Sequence, residues 1–294
     1  MHGMEKVKSF FTSTHTLSCK GKLLDLSTPK VMGIINVTRN SFYSGSQFRG
    51  KHRIYRRAKE ILNQGGSIID IGACSARPGS SPVSEAEEMK QLAKALTIVR
   101  KHFPEAIVSV DTYRSGVAKT VVEDFKVDLI NDISAGNMDK QMHNTIAKLN
   151  VPYIAMHMKG TPQNMQDNPW YDDVIKELFS FFANRINELN LMGINDILID
   201  PGFGFGKTIE HNYRILSNLD SFRVLNTPIV VGLSRKSFIY KPLNQASEDA
   251  LNGTSVLNTI ALLKGAAILR VHDVKEAMET IKLVSIAQQQ LIKE

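Results

Sequence analysis

Polar and charged residues recur at the ends of short apolar runs along this chain, and their types are informative. Asn36 closes the first run, Arg77 follows the second, Asp111 ends the third and Asn131 the fourth. His157 ends the fifth and Asp200 the sixth; Ser234, Arg235 and Lys236 follow the seventh, and Arg270 and His272 close the eighth. One polar residue at the end of an apolar run is ordinary surface chemistry, and His157 reads equally well as a core histidine. Eight such ends in succession describe the mouth of a binding site, provided the fold gathers them. Asp111, Asn131 and Asp200 supply carboxylates and an amide that suit the ring N–H and amino donors of a flat nitrogen heterocycle; charge-assisted pairs of this kind are the strong ones. Lys236, Arg270 and His272 supply cations that suit phosphate. Asn36 offers a single oxygen to Mg²⁺, an ion that keeps several waters and takes other ligands from substrate phosphates. The residues therefore point to a nitrogen heterocycle carrying phosphate.

The elements that must position these residues follow from the pattern of apolar positions. The runs are Val31–Val37, Ser67–Gly72, Ile107–Asp111, Val127–Asn131, Pro152–His157, Asp196–Asp200, Pro228–Gly232 and Ala266–Val271. Each has the length and β-branched content of a strand buried on both faces. Between them lie segments of helical spacing: Arg53–Gln64, a helix opened by a Ser84–Glu87 capping box and running toward His102, Ser115–Glu123, Lys140–Leu149, Tyr171–Leu191, Glu210–Leu219, Glu248–Lys264 and Val274–Gln290. Eight strand–helix units predict an α/β fold, a closed (β/α)8 TIM barrel, with a doubly wound sheet as the alternative. The barrel is assigned residues 29–294. Residues 1–28 stand outside the alternation as an N-terminal extension, in which Thr14–Leu26 reads as a hairpin capping the barrel floor.

The composition of the 294 residues is 43% hydrophobic and 22% charged, which excludes a mainly disordered chain. The two cysteines, Cys19 and Cys74, are too few and too far apart for a disulfide framework or a structural zinc site. The net charge of +7 suits anionic small molecules. No basic stripe with interleaved aromatics predicts nucleic-acid binding, and no apolar run is long enough to span a membrane. A cytoplasmic location is expected. The segment Asp200-Pro201-Gly202-Phe203-Gly204-Phe205-Gly206-Lys207-Thr208 lacks the spacing of a Walker motif. Its glycines read as turn and close-approach positions. The charges of Lys51–Lys59 read as a solvated face.

The motifs resemble dihydropteroate synthase, a pterin-binding barrel family, over residues 30 to 285. The resemblance rests on Met32-Gly33-Ile34-Ile35-Asn36-Val37-Thr38, Asp70-Ile71-Gly72, Ser109-Val110-Asp111-Thr112 and Ile130-Asn131-Asp132-Ile133-Ser134. It continues through Met156-His157-Met158-Lys159-Gly160-Thr161-Pro162, the Asp200–Lys207 segment, Gly232-Leu233-Ser234-Arg235-Lys236-Ser237 and Arg270-Val271-His272-Asp273. It implies condensation of 7,8-dihydropterin-6-ylmethyl diphosphate with 4-aminobenzoate, a step of folate biosynthesis, with Mg²⁺ as cofactor, a homodimeric assembly and sulfonamides as inhibitors. Carried over by position, Asp111, Asn131, Met156, Asp200 and Lys236 would hold the pterin, with Asp111 and Lys236 as catalytic residues. Asn36, Arg270 and His272 would hold the diphosphate, with Asn36 also on the metal. Ala76, Arg77, Pro78, Phe205 and Ser237 would form the aminobenzoate subsite.

Two loops depart from the family pattern. Arg39 and Asn40 stand where the family usually has Pro-Asp, and Cys74-Ser75-Ala76-Arg77-Pro78 stands where it often has Glu-Ser-Thr-Arg-Pro. Both changes fall on the aminobenzoate side. They motivate one alternative, a catalytically impaired pterin-binding homologue. A corrinoid-linked pterin methyltransferase is the other, and it would not be expected to keep the residues assigned to diphosphate.

Overall fold

Parallel strands buried on both faces need apolar side chains pointing both ways, and the short Val/Ile/Leu runs supply them. The computed structural model describes residues 15–19, 21–37, 47–74 and 83–291. A two-stranded antiparallel hairpin, β1 (Thr16–Cys19) and β2 (Lys22–Asp25), precedes the barrel. The barrel strands are β3 (Lys30–Asn36), β4 (Ile68–Gly72), β5 (Ile107–Asp111), β6 (Leu129–Asp132), β7 (Tyr153–Met156), β8 (Ile197–Asp200), β9 (Ile229–Val231) and β10 (Ala266–Val271). They pair in parallel in chain order, and β10 bonds to both β9 and β3, which closes the barrel and excludes a doubly wound sheet.

Helices alternate with the strands: α1 (Gln47–Asn63), α2 (Glu85–His102), α3 (Ser115–Phe125), α4 (Met142–Leu149), α5 (Val174–Leu191), α6 (Ile209–Ser217), a short α7 (Ser237–Tyr240), α8 (Leu251–Leu263) and α9 (Val274–Leu291). The expected elements all occur, with differences at their ends. The Ser84 hydroxyl does accept from the Glu87 amide at 3.3 Å, but the Glu87 carboxylate accepts from Gln91 at 3.0 Å, so only half of the expected box forms. The reciprocal box forms instead at Thr208 and His211, at the start of α6. Helix α6 stops at Ser217, and a 3-10 segment, Leu219–Leu225, carries the chain onward.

Side chains alternate along a strand, so each barrel strand sends one set outward and one inward. The outward set, including Val31, Ile69, Val108, Ile130 and Leu269, joins the large core shared with the helices. The inward set at the floor is Met32, Ile68, Leu129, Ile154, Leu198, Val230 and Ile268, and it forms one cluster with Leu17, Cys19, Leu24 and Leu26 of the hairpin. The hairpin thus plugs the floor, as expected of the Thr14–Leu26 segment. Gly21 takes φ +81° in its turn, and the Ser18 amide donates to the Asp196 carboxylate at 3.3 Å beside the foot of β8. Burial raises the Cys19 thiol to about 12, so it serves as a small apolar side chain.

Candidate active site

Two residues beyond each floor residue, the same inward face reaches the mouth. Ile68 leads to Asp70, Leu129 to Asn131, Ile154 to Met156, Leu198 to Asp200, Val230 to Gly232 and Ile268 to Arg270. The strand register sets them side by side: Gly72 lies opposite Asp111, Asp111 opposite Asn131, and Met156 opposite Asp200. A Cβ at 72 would make an ordinary contact with the Asp111 Cβ at 3.4 Å, so the two strand ends lie close together. Gly232 leaves room between β8 and β10. A Cβ at 232 would lie 3.8 Å from both the Asp200 Oδ2 and the Lys236 Nζ, so these two charged groups converge on the same space.

The centre of the mouth is an ion cluster. The Arg270 guanidinium donates to Asp70 Oδ2 at 2.7 Å and to Asp111 Oδ2 at 2.8 Å. Burial pushes the Asp111 carboxyl up to about 7, although Arg270 opposes the shift, while the neighbouring Asp70 and Glu88 charges add to it. Burial also raises Asp200, against Lys236 and the Gly202 amide that donates to it at 2.7 Å. The Lys236 ammonium falls to about 8 through burial, opposed by Asp200. Burial works against the Arg270 charge as well, but Asp70 and Asp111 outweigh it and hold the guanidinium above its ordinary range. These are largely buried carboxylates and cations at close quarters, where a charged or strongly polar ligand interacts more strongly than in water.

The segment after β8 shapes one wall. Gly202 has φ +70°, and a Cβ there would meet the His157 carbonyl oxygen at 1.9 Å, so no other residue fits. The Gln166 side chain donates to the Gly204 carbonyl at 2.7 Å, and the Tyr171 hydroxyl to the Gly206 carbonyl at 2.8 Å. Phe205 packs against Ile133, Met156, Met158 and Met165, an apolar cluster at the mouth, and the Lys236 ammonium lies 4.6 Å from its ring centre. Ser237 is exposed next to Lys236, at the first turn of α7. Asn36 is exposed at the rim, where it and His272 line one groove.

Several sequence expectations are corrected. His272 is not a free cation: burial and then Arg270 push it down to about 4, and its Nδ1 lies 3.0 Å from the Ser234 hydroxyl. Arg270 is a cation, but one already shared by two carboxylates. Arg235 is turned away from the mouth. Its guanidinium makes two bonds of 2.9 Å to Asp273, and it also donates to the Glu248 carbonyl at 2.6 Å. His157, by contrast, is the core histidine that its sequence reading allowed, with its ring 4.9 Å from Phe181, and burial drives it well below its ordinary value. Ala76, Arg77 and Pro78 lie outside the described residues, as do Arg39 and Asn40.

Two residues with no role read from sequence stand out. Asp70 is fully buried, and its only visible signal was a carboxylate in step with Ile68 inside an apolar run. Lys207 is buried with its ammonium 3.0 Å from the His157 Nδ1 and donating to the Phe205 carbonyl at 3.0 Å, which fixes the Phe205 turn. Nothing local marked it as buried, since it ends a glycine-rich segment. Cys74 is inert: burial, then Glu88, raises its thiol to about 12.

Among the described residues, no group of three or more His, Cys, Asp or Glu side chains is placed to hold a metal ion. A single exposed amide oxygen at Asn36 fits an ion that takes most of its ligands from water and phosphate, and fits nothing that needs a protein cage.

A closed eight-stranded barrel with a polar, charged mouth at the carboxyl ends of its strands defines a ligand-binding (β/α)8 enzyme. The model of the family described as pterin binding enzyme matches residues 32–272. A dihydropteroate synthase of Haemophilus influenzae is 38% identical over 269 residues, covering 91% of this chain and 97% of that protein. The dihydropteroate synthase of Escherichia coli is 39% identical over 272 residues, covering 91% and 95%. Among solved structures, a Yersinia pestis dihydropteroate synthase in a sulfonamide drug complex superposes with a TM-score of 0.86 at 38% identity, over 93% of this chain and 99% of that one. A Xanthomonas albilineans dihydropteroate synthase with 4-aminobenzoic acid gives 0.86 at 33% identity, over 94% and 99%. The chain belongs to the pterin-binding enzyme family and, within it, to the dihydropteroate synthases, enzymes that transfer an alkyl group. No helix of the described residues is long and apolar enough to cross a membrane.

Proposed function

We propose that this enzyme joins 7,8-dihydropterin-6-ylmethyl diphosphate to 4-aminobenzoate, releasing pyrophosphate and 7,8-dihydropteroate for folate biosynthesis. The observation that carries the reading is the convergence of Asp111, Asn131, Asp200 and Lys236 on one mouth beside Met156 and Phe205. The carboxylates and the Asn131 amide accept from and donate to the pterin's polar edge, while Met156 covers its face. Arg270 and His272 lie on the neighbouring strand end, beside Asn36 across the barrel seam, and take the diphosphate. His272 is neutral before an anion arrives, so it donates through a ring N–H, and a bound phosphate would raise its affinity for a second proton.

The bond from the pterin methylene to the diphosphate oxygen breaks with its electron pair leaving on oxygen. The arylamine nitrogen then attacks the methylene carbon and gives up a proton. Asp111 and Asp200 face the cation that forms and stabilise it, and the bound arylamine and diphosphate would keep water from capturing it. Mg²⁺, held through Asn36 and the phosphates, would neutralise charge on the leaving group. Phe205 and Ser237, with Ala76, Arg77 and Pro78, would hold the aminobenzoate, and sulfonamides would compete there. A cytoplasmic homodimer is part of this reading. Exposed Val256, Leu263, Leu283 and Ile286 on α8 and α9 support the pairing of two copies.

The test is to mix the protein with the dihydropterin diphosphate, 4-aminobenzoate and Mg²⁺ and to follow both products. Equal amounts of pyrophosphate and dihydropteroate are expected. Pyrophosphate alone would locate a defect in arylamine capture, at Arg39, Asn40 and Ala76. Pterin binding with neither product would overturn the reaction in favour of the impaired homologue.

A further inference from the structure

Helix α1 carries far more positive charge on one side than a solvated helix needs. Arg53, Arg56, Arg57 and Lys59 line a groove that runs from its surface to Asn36 and His272 at the rim of the mouth. Glu60 is the acidic side chain among the groove's lining residues, and it is taken by Arg57 at 3.0 Å. The rest of the Arg57 guanidinium is spent on backbone. It donates to the Ile34 carbonyl at 3.3 Å and to the His272 carbonyl, tying β3 to the segment after β10. Arg53, Arg56 and Lys59 are exposed, and among the described residues none of them forms an ion pair. Residues three apart on a helix are neighbours, so these like charges repel one another unless an anion lies between them.

We propose that this groove is an outer diphosphate subsite, continuous with the inner one at Asn36, Arg270 and His272. This rests on the reaction proposed above for the inner position. Arg270 is committed to Asp70 and Asp111, and the His272 Nδ1 lies 3.0 Å from the Ser234 hydroxyl, so the inner position begins with little free positive charge. The open cations of α1 supply it next door. They draw the diphosphate substrate toward the mouth and give departing pyrophosphate a place to move outward once the pterin has been transferred. Attraction of this kind acts over a Debye length and weakens with salt.

The experiment compares the wild type with a triple variant, Arg53→Gln, Arg56→Gln and Lys59→Gln. Inorganic pyrophosphate and a non-phosphorylated dihydropterin alcohol are titrated calorimetrically at low and high ionic strength. The expected result is a pyrophosphate Kd about tenfold weaker in the variant at low salt, shrinking toward equality at about 0.5 M salt. Binding of the dihydropterin alcohol should be unchanged, which shows that the barrel is intact. The kcat/KM for the dihydropterin diphosphate should fall by a similar factor and with the same salt dependence. Equal pyrophosphate affinity at low salt would overturn the outer subsite, as would complete loss of binding in Arg270→Ala with none in the triple variant. A wild-type protein that binds pyrophosphate but makes no dihydropteroate would count against the proposed reaction, while the titrations still decide the groove.

Discussion

On β4, β6, β7, β8 and β10 the inward side chains at the floor of the barrel are Ile68, Leu129, Ile154, Leu198 and Ile268. Two positions later, at the mouth, they are Asp70, Asn131, Met156, Asp200 and Arg270. The two sets are separated by about 7 Å of strand. The floor is closed by the hairpin, and its side chains lose water without needing partners. The mouth holds carboxylates and cations that are stable in low dielectric only because they face one another. Stability and binding are thus assigned to opposite ends of the same strands, and a substitution should reveal which end it struck.

The largest effects should come from the mouth and should be functional. Lys236→Ala and Asp111→Asn are each expected to lower kcat by about a thousandfold, the scale of losing one preorganised charged partner. Urea unfolding should show a cooperatively folded protein in both, with a cost for Asp111→Asn no larger than that of a floor cavity, because Arg270 keeps its bond to Asp70. Unfolding in step with the loss of turnover would erase the distinction between the two ends. At the floor, Leu129→Ala should cost about 2–5 kcal/mol through the cavity it leaves, with kcat almost unaffected in the folded fraction.

A third test separates the ends by pH. Burial holds Lys207 at about 7 and Lys236 at about 8, below the ordinary lysine value, so the folded state binds fewer protons than the unfolded state above those values. Their contribution to stability therefore grows as pH rises from about 7 toward 10 and is lost as pH falls through about 7. Asp111, raised to about 7, acts in the opposite sense: its contribution is present in acid and fades as pH climbs from about 4 through 7. Unfolding measured across this range should show a weaker alkaline rise in Lys207→Met and a weaker decline toward neutrality in Asp111→Asn. Leu129→Ala should shift the whole curve without changing its slope. The smallest expected effect is at Ser234, whose hydroxyl lies 3.0 Å from His272 Nδ1 and accepts from the His272 amide at 3.2 Å. Ser234→Ala should raise KM for the proposed diphosphate substrate about fivefold, the value of one hydrogen bond, with a smaller change in kcat.

Run length, β-branching and the helical spacing between runs are local properties. They determined the strand count, the alternation with helices, the floor-plugging hairpin and the choice of strand ends as the place for polar chemistry. The same local pattern put Asp111, Asn131, Asp200 and Lys236 in one candidate site, because parallel strands must all end on one face of a barrel. What the pattern did not contain was the pairing of charges. Asp70 and Arg270 are 200 residues apart, and only closure of β10 onto β3 makes them partners. Arg235 and Lys236 are adjacent in the chain, yet a left-handed backbone at Arg235, φ +57°, sends one to Asp273 and leaves the other beside Phe205. The neutrality of His272 and the burial of Lys207 likewise come from neighbours gathered by the fold, because desolvation depends on everything packed around a group and not on the residues beside it in sequence. The charges of α1 read alone as a solvent face, and only the position of that helix beside Asn36 and His272 turned them toward the mouth.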